Sequence, residues 1–181
     1  MTAHELTDAE LLVLGLVAEM PRHGYDLERE IVRRGMREWT QIGFSSIYFV
    51  LGRLEKMGFV AAGQPEGSRG RKSYSVTSAG GRALRRQTLA ALATYRPVYS
   101  SVLLGMMHWP VLGRSEALGA LEARGEAIAA ERARLEGIQI ESQPLPDFIE
   151  AVFEFSLGQL EAEAGWLART RDYMASKTWL E

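Results

Sequence analysis

The apolar spacing of this chain falls from a helical period to a strand period near residue 58, and that change limits the folds open to it. Before it, the spacing is helical. "LTDAELLVLGLVAEMP" has Thr7 and Glu10 at capping-box separation, inward positions at Leu11, Leu12, Leu14, Leu16 and Val17, and Pro21 as a stop. "HGY" reads as a turn in which Gly24 is free to take positive φ. "DLEREIVRRGM" follows as a short helix, with Asp26 as cap and Leu27, Ile31 and Val32 inward. The third helix lies in "GFSSIYFVLGRLEKMGFV". Ser45 or Ser46 is its expected N-cap. Ile47, Val50, Leu51, Leu54 and Met57 make one apolar stripe, and Gly58 is placed to end it as a left-handed C-cap.

After Gly58 the period falls to two. "FVAAGQ" and "KSYSVTS" are strand-like runs, and the Gly-, Pro- and Ser-containing "PEGSRGR" between them has hairpin-loop chemistry. Three helices and then a two-stranded hairpin in about 80 residues is the winged helix-turn-helix order. A helix restarts at "TSAGGRALRRQTLAALATYR" with Thr77 or Ser78 as cap. Pro97 interrupts it, and "VYSSVLLGMMHW" continues. "GRSEALGALEARGEAIAAERARLEGI" is a long polar helix in which Leu118, Leu121, Ile128 and Leu135 fall at 3-4 spacing, broken by Gly125 and Arg132, so its coiled-coil signal is partial. "ESQPLP" is a loop. The last helix, from about Asp147 to Met174, is apolar on two faces, Phe148, Val152, Phe155, Trp166 and Tyr173 on one and Ile149, Phe153, Leu160, Leu167 and Met174 on the other. Two apolar faces require two partners, the chain itself and a second subunit. The expected fold is mainly α with a small β-hairpin wing: a winged helix-turn-helix over 4–85 and an α-helical dimerisation domain over 86–181.

Composition narrows the function. Residues 1–90 hold 13 Lys and Arg against 10 Asp and Glu; residues 91–181 hold 8 against 13. A mildly basic half joined to an acidic one hints at nucleic-acid contact on one side. No apolar run approaches the length of a membrane span, the polar N-terminus is unlike a signal peptide, and there is no cysteine, so the expected location is cytoplasmic with no membrane partner. Enzyme readings find little support. His4, His23 and His108 are isolated, and no metal-binding, P-loop or dinucleotide motif is present, so no catalytic residue, metal or cofactor is expected. Glu150 and Glu154 stand one turn apart, as on a solvated face.

The third helix carries the candidate chemistry. In a helix-turn-helix this element enters the major groove with its N-terminal residues at the base edges. Ser45, Ser46, Tyr48 and Phe49 are therefore candidate DNA contacts, with core packing the alternative for the two aromatics. Arg69, Arg71 and Lys72 put cations on the wing loop, where they would neutralise phosphates. Arg53 and Glu55 read as locally paired, and Trp39 as core or staple. Tyr95, Tyr99, Trp109, Phe153 and Trp166 are candidate lining for an effector pocket, although aromatics at helical spacing equally make plain core. For the dimer interface the candidates are Phe148, Val152, Phe155, Leu160, Trp166, Leu167 and Tyr173.

"ELLVLGLVAEMPRHGYDLEREI", "SSIYFVLGRLEKMGFV" and "GRKSYSVTSAGG" together resemble the winged-helix domain of PadR-family transcriptional regulators. The shared elements are the His23-Gly24-Tyr25 turn, the Ser46-Ile47-Tyr48 start, the run from Leu51 to Glu55, the Gly58 stop, the Arg71-Lys72 wing, and Thr77 with Gly80. "FIEAVFEFSLGQLEAEAGWL" looks more weakly like that family's dimerising last helix. One departure is Phe49, where the family usually has proline. The resemblance implies a homodimeric regulator, a repressor in this reading, that binds double-stranded DNA at an inverted repeat and responds to a small apolar or aromatic effector. A winged-helix module for protein contacts, without a specific DNA site, is the other reading.

Overall fold

The computed structural model describes residues 5–39, 43–64 and 71–176. It divides into two compact units, Met1–Pro97 and Val98–Glu181. Arg69 and His4 lie outside the described residues, and of Ser45 only the backbone is described.

In the first unit the order is α1 (Asp8–Glu19), β1 (Arg22–His23), α2 (Gly24–Arg33), a 3-10 turn (Met36–Glu38), α3 (Phe44–Lys56), β2 (Val60–Ala62), β3 (Ser73–Val76) and α4 (Ser78–Ala93). The capping box forms as its spacing predicts. The Thr7 hydroxyl accepts from the Glu10 amide at 3.3 Å, and Glu10 Oε2 accepts from the Thr7 amide at 2.8 Å. The helix ends at Met20, just before Pro21. At the end of α3, Gly58 has φ 71°, its amide donates to the Glu55 carbonyl, and the Phe59 amide donates to the Leu54 carbonyl. That paired pattern is a Schellman close, which needs a left-handed residue after the last turn. Val13, Leu14, Leu27, Ile31, Ile47, Leu51 and Leu54 from α1, α2 and α3 form one core.

The sheet has a strand that the sequence does not announce. Its order is β1-β3-β2, antiparallel, with Val60 opposite Val76, Ala62 opposite Tyr74, and Arg22 opposite Tyr74 on the other side. The turn expected at "HGY" is thus a two-residue strand running into α2, and Gly24 opens that helix without taking positive φ. Three further local expectations change with it. Asp26 does not cap α2: the helix begins two residues earlier at Gly24, with His23 as an N-cap that makes no side-chain bond. Asp26 sits instead in the first turn, where its charge suits the helix dipole. Val32 is exposed, because the buried line of α2 runs through Leu27 and Ile31 and the next residue turns about 100° away. Neither serine caps α3, whose N-cap is Gly43, so both lie within the first turn.

One ion pair joins α1 to α3. The Glu10 side chain is 1 % exposed, and its Oε1 lies 2.9 Å from Arg53 Nε. A second network gathers around Glu30, which accepts from Arg33 Nε at 2.9 Å and also bonds Arg34. Glu19 binds both Arg34 (2.6 Å) and Arg22 (3.1 Å), so the end of α1 is tied to β1 and to the end of α2.

The second unit has α5 (Ser101–His108), a 3-10 turn (Trp109–Val111), α6 (Arg114–Glu141) and α7 (Asp147–Ala175). The last two helices pack antiparallel. Arg114 at the start of α6 donates to the Ala175 carbonyl at 2.6 Å, Arg124 donates to Glu163 at 2.6 Å, and Gln139 beside the connecting loop donates to Glu150 at 2.8 Å. Leu121, Ile128 and Leu135 are the buried line of α6, at seven-residue intervals. The two-faced reading of α7 holds within the chain on one side: Phe153, Leu167 and Met174 are buried, whereas Phe148, Phe155 and Tyr173 stand out at 71, 66 and 62 % exposure. Leu167, assigned above to the partner-facing set, is buried against α6 instead, because it shares the heptad line of Leu160 and Met174. Leu160 and Trp166 also pack in part against that cluster.

Removing Arg53 tests the α1–α3 pair. Arg53→Ala leaves a buried carboxylate with one partner fewer. It should lower stability by about 2–3 kcal/mol, below the full cost of an orphaned buried charge because Arg53 itself is partly solvated. The shift of the urea midpoint measures it, and an unchanged midpoint would contradict the keystone role of the pair.

Candidate nucleic-acid interface

The first unit carries a cleft of about 440 Å³ lined by His23, Gly24, Tyr25, Tyr48, Arg71, Lys72 and Tyr74. Three elements build it. β1 and the first turn of α2 bring His23 to Tyr25, the outer face of α3 brings Tyr48, and the start of the hairpin's second arm brings Arg71, Lys72 and Tyr74. The cross-strand pairing of Arg22 with Tyr74 holds the first and third of these together.

Tyr48 is half exposed and its ring lies over the start of α2. A Cβ on Gly24 would sit 2.6 Å from Tyr48 Cε1 and 3.0 Å from Cζ, closer than real contacts allow. Gly24 is therefore present for close approach and not for its φ. Tyr25 is half exposed beside it. Burial pushes the Tyr74 phenol up from its ordinary value, with the negative charge of Glu55 adding to the shift, so Tyr74 remains a hydrogen-bond donor across the physiological range.

Several cations of the unit are spent on carboxylates: Arg22, Arg33 and Arg34 on Glu19 and Glu30, and Arg37 on Glu28. Arg71 and Lys72 are exposed and make no ion pair among the described residues. A surface with a half-exposed tyrosine pair, a groove-sized helix and two uncommitted cations suits a polyanion that also offers an edge to read. Arg53, expected to pair locally, reaches instead to Glu10 on α1, and its guanidinium carbon stands 5.9 Å from the Phe49 ring centroid. Phe49 itself is 66 % exposed, so it is not core. Ser46 is half-buried in the first turn of α3, and Trp39 is half-buried.

Sequence reasoning missed Tyr25, Tyr74 and the place of His23. The signal was "HGY" itself, but a two-residue strand has no periodicity to detect. In the second unit, Trp109 and Trp166 pack against the same α6–α7 cluster, while Phe153 is buried and Tyr99 is exposed. Tyr95, exposed, belongs to the first unit. The five aromatics proposed as effector lining are thus not gathered in one place within either unit. Among the described residues, no cluster of His, Cys, Asp or Glu is arranged to hold a metal, and no helix is long and apolar enough to cross a membrane.

The family described as "Transcriptional regulator PadR-like family" matches residues 13–86, the span from α1 to α4. The winged-helix region is similar to a PadR-like domain. That family is described as one of transcriptional regulators. Solved structures agree in fold over most of the chain. Bacillus subtilis PadR in complex with operator DNA is 21 % identical, with a TM-score of 0.71, over 91 % of this chain and 98 % of that one. The same protein in complex with p-coumaric acid is 21 % identical, with a TM-score of 0.73, over 92 % and 98 %. The PadR-like regulator BC1756 from Bacillus cereus is 18 % identical, with a TM-score of 0.65, over 94 % and 100 %. At these identities the likeness carries the fold, a PadR-type winged helix followed by C-terminal helices. No curated protein matches the chain in sequence.

Two measurements check this geometry. Gly24→Ala should destabilise the wild-type protein by about 1 kcal/mol through the Tyr48 clash, and should be neutral in a Tyr48→Ala background, a double-mutant cycle read from urea midpoints. Glu30 provides the pH test. Hydrogen bonding from Arg33, then from Arg34, holds its carboxyl down at about 2 from an ordinary 4.5. A depressed folded-state pKa contributes stability that is complete above about 4.5 and is lost as pH falls from there through about 2. The stability difference between wild type and Glu30→Gln should therefore be constant from neutral pH to about 5 and shrink below it. A difference independent of pH down to 2 would mean that the carboxylate is not ionically held.

Proposed function

We propose that this chain is a homodimeric, operator-binding repressor that reads an inverted repeat through α3 and grips the flanking backbone with its wing. The observation that carries the reading is the joint presentation of Tyr48, Arg71 and Lys72 around one cleft on the outer side of α3. Tyr48 and Ser46 supply hydroxyls near the helix N-terminus, where base edges and phosphates are met. Arg71 and Lys72 supply sequence-independent charge. That Bacillus subtilis PadR has been seen with operator DNA supports the same role for the fold here.

Dimerisation rests on α7. Phe148, Phe155 and Tyr173 form an exposed apolar set on a helix whose neighbouring face is already occupied, and a stable dimer of this kind buries roughly 2,000 Å² or more. The protein operates in the cytoplasm, and its helical unit takes a small apolar or aromatic effector near Trp109 and Trp166. The p-coumaric acid complex of Bacillus subtilis PadR supports an effector of that chemical type. Effector binding and operator binding are then reciprocally coupled.

Titration of operator and scrambled duplexes at several salt concentrations tests the reading. Arg71→Ala and Lys72→Ala should each weaken binding to both duplexes alike and lower the salt slope by about one. Tyr48→Phe should cost about 1 kcal/mol or more on the operator and less on scrambled DNA. Sedimentation should give a species of twice the 20.1 kDa chain mass. No preference for any duplex over scrambled DNA would overturn the regulator reading, and a monomer would remove the inverted repeat.

A further inference from the structure

We propose that Phe49 is a base-reading side chain of α3, that the group it reads is the 5-methyl of thymine, and that Arg53 and Glu10 are the residues that position it. The inference rests on the reading that α3 faces DNA. Its starting point is the geometry of the helix. Ile47, Val50, Leu51 and Leu54 are buried, so the line directly opposite them is Ser45, Phe49, Gly52 and Lys56, at steps of four, three and four residues. Phe49 is the one large apolar residue on that line and is 66 % exposed. The next position along it is Gly52, and a Cβ built there would meet nothing within 4 Å. The ring therefore stands out from the middle of the outer face, with no bulky side chain at the next position of its own line.

An exposed ring on a helix surface would ordinarily be free to turn. This one is not left so. The Arg53 guanidinium carbon stands 5.9 Å from its centroid, one turn further along. Arg53 is fixed in turn by Glu10, whose Oε1 lies 2.9 Å from Arg53 Nε and whose other oxygen holds the Thr7 amide at 2.8 Å. Glu10 is buried. A surface phenyl ring is thus braced, through two contacts, against an atom in the core of the domain. Bracing of this kind lowers the ordering cost of a contact made with another molecule.

The chemistry of the ring selects what it can read. It has no donor and no acceptor. The edges of the four base pairs in the major groove carry hydrogen-bonding groups and one apolar group, the thymine methyl. Tyr48 and Ser46 cover the polar edges, and Phe49 matches the remaining feature. Its place at the centre of the outer face puts that thymine inside each half-site and not at its flank.

The test uses the full-length protein and the duplex it binds best from a random pool. Each thymine is replaced singly by deoxyuridine, which removes the methyl and leaves pairing intact, and affinity is read by anisotropy. One thymine in each half-site should lose about fourfold on replacement, the value for burying one methyl-sized group. Phe49→Ala, an exposed change that leaves the core untouched, should bind the thymine and uridine duplexes equally at that position. Arg53→Lys keeps a cation opposite Glu10 but not the planar group over the ring, and should reduce the thymine preference without abolishing DNA binding. If no replacement weakens wild-type binding, or if Phe49→Ala retains the preference, the methyl-reading role fails while the regulator reading stands. Retention of the full preference by Arg53→Lys would remove the positioning role of Arg53 and Glu10. A wild type that prefers no selected duplex over scrambled DNA would bring down both the role and the reading beneath it.

Discussion

The first unit depends on a single buried carboxylate. Glu10 closes the capping box of α1 with one oxygen and holds Arg53 of α3 with the other. A charge taken out of water is costly unless both oxygens are satisfied, so the two tasks cannot be separated energetically. The consequence is register. Sliding α3 along α1 by a turn would strand the carboxylate, whereas the apolar contacts among Leu14, Leu51 and Leu54 would tolerate it more easily. The apolar core supplies the driving force for packing α1, α2 and α3 together, and the ion pair chooses which packing.

Around that register the other polar groups do local work of the same kind. Glu19 and Glu30 bring Arg22, Arg33 and Arg34 together, so the chain reversal between α1 and α2 is tied at both ends. This use of arginine has an electrostatic corollary. Charges compensated within the fold add little to the outward field, and Arg71 and Lys72 of the wing carry no such compensation among the described residues. Sequence counts of Lys and Arg by halves see only the sum and miss this sorting.

The elements with long periodic stripes were legible from sequence. The capping box at Thr7, the stripe from Ile47 to Leu54, the stop at Gly58 and the cap at Thr77 each rest on residues within two turns of one another, and each stands where the pattern placed it. What was not legible involves partners distant in sequence. β1 is two residues long and exists only because β3 is there to pair with it. Gly24 looked like a turn glycine, and its reason is the Tyr48 ring, 24 positions later. Arg53 looked locally paired because its true partner is on another helix. Of the candidate interface, Tyr48 and the wing cations could be named from motif order, while Tyr25 and Tyr74 become visible only once the sheet brings them together. In the second unit the two faces of α7 could be seen and Leu167 stood on the one that is buried, but it was also named for the dimer interface because an amphipathic pattern does not say which face is already covered.

Thr77 sits at a junction whose effect goes beyond capping. Its hydroxyl donates to the Gly58 carbonyl at 2.7 Å and receives the Gly80 amide at 3.0 Å, and its own amide donates to the Phe59 carbonyl at 3.0 Å. The residue that ends the hairpin therefore joins the close that follows α3, at Gly58 and Phe59, to the first turn of α4. Geometrically it is a rivet through two levers. A tilt of α4 about its first turn must drag the C-terminal end of α3 with it or break these bonds, so the angle of the outer helix and the direction of the helix leaving the domain are a single degree of freedom.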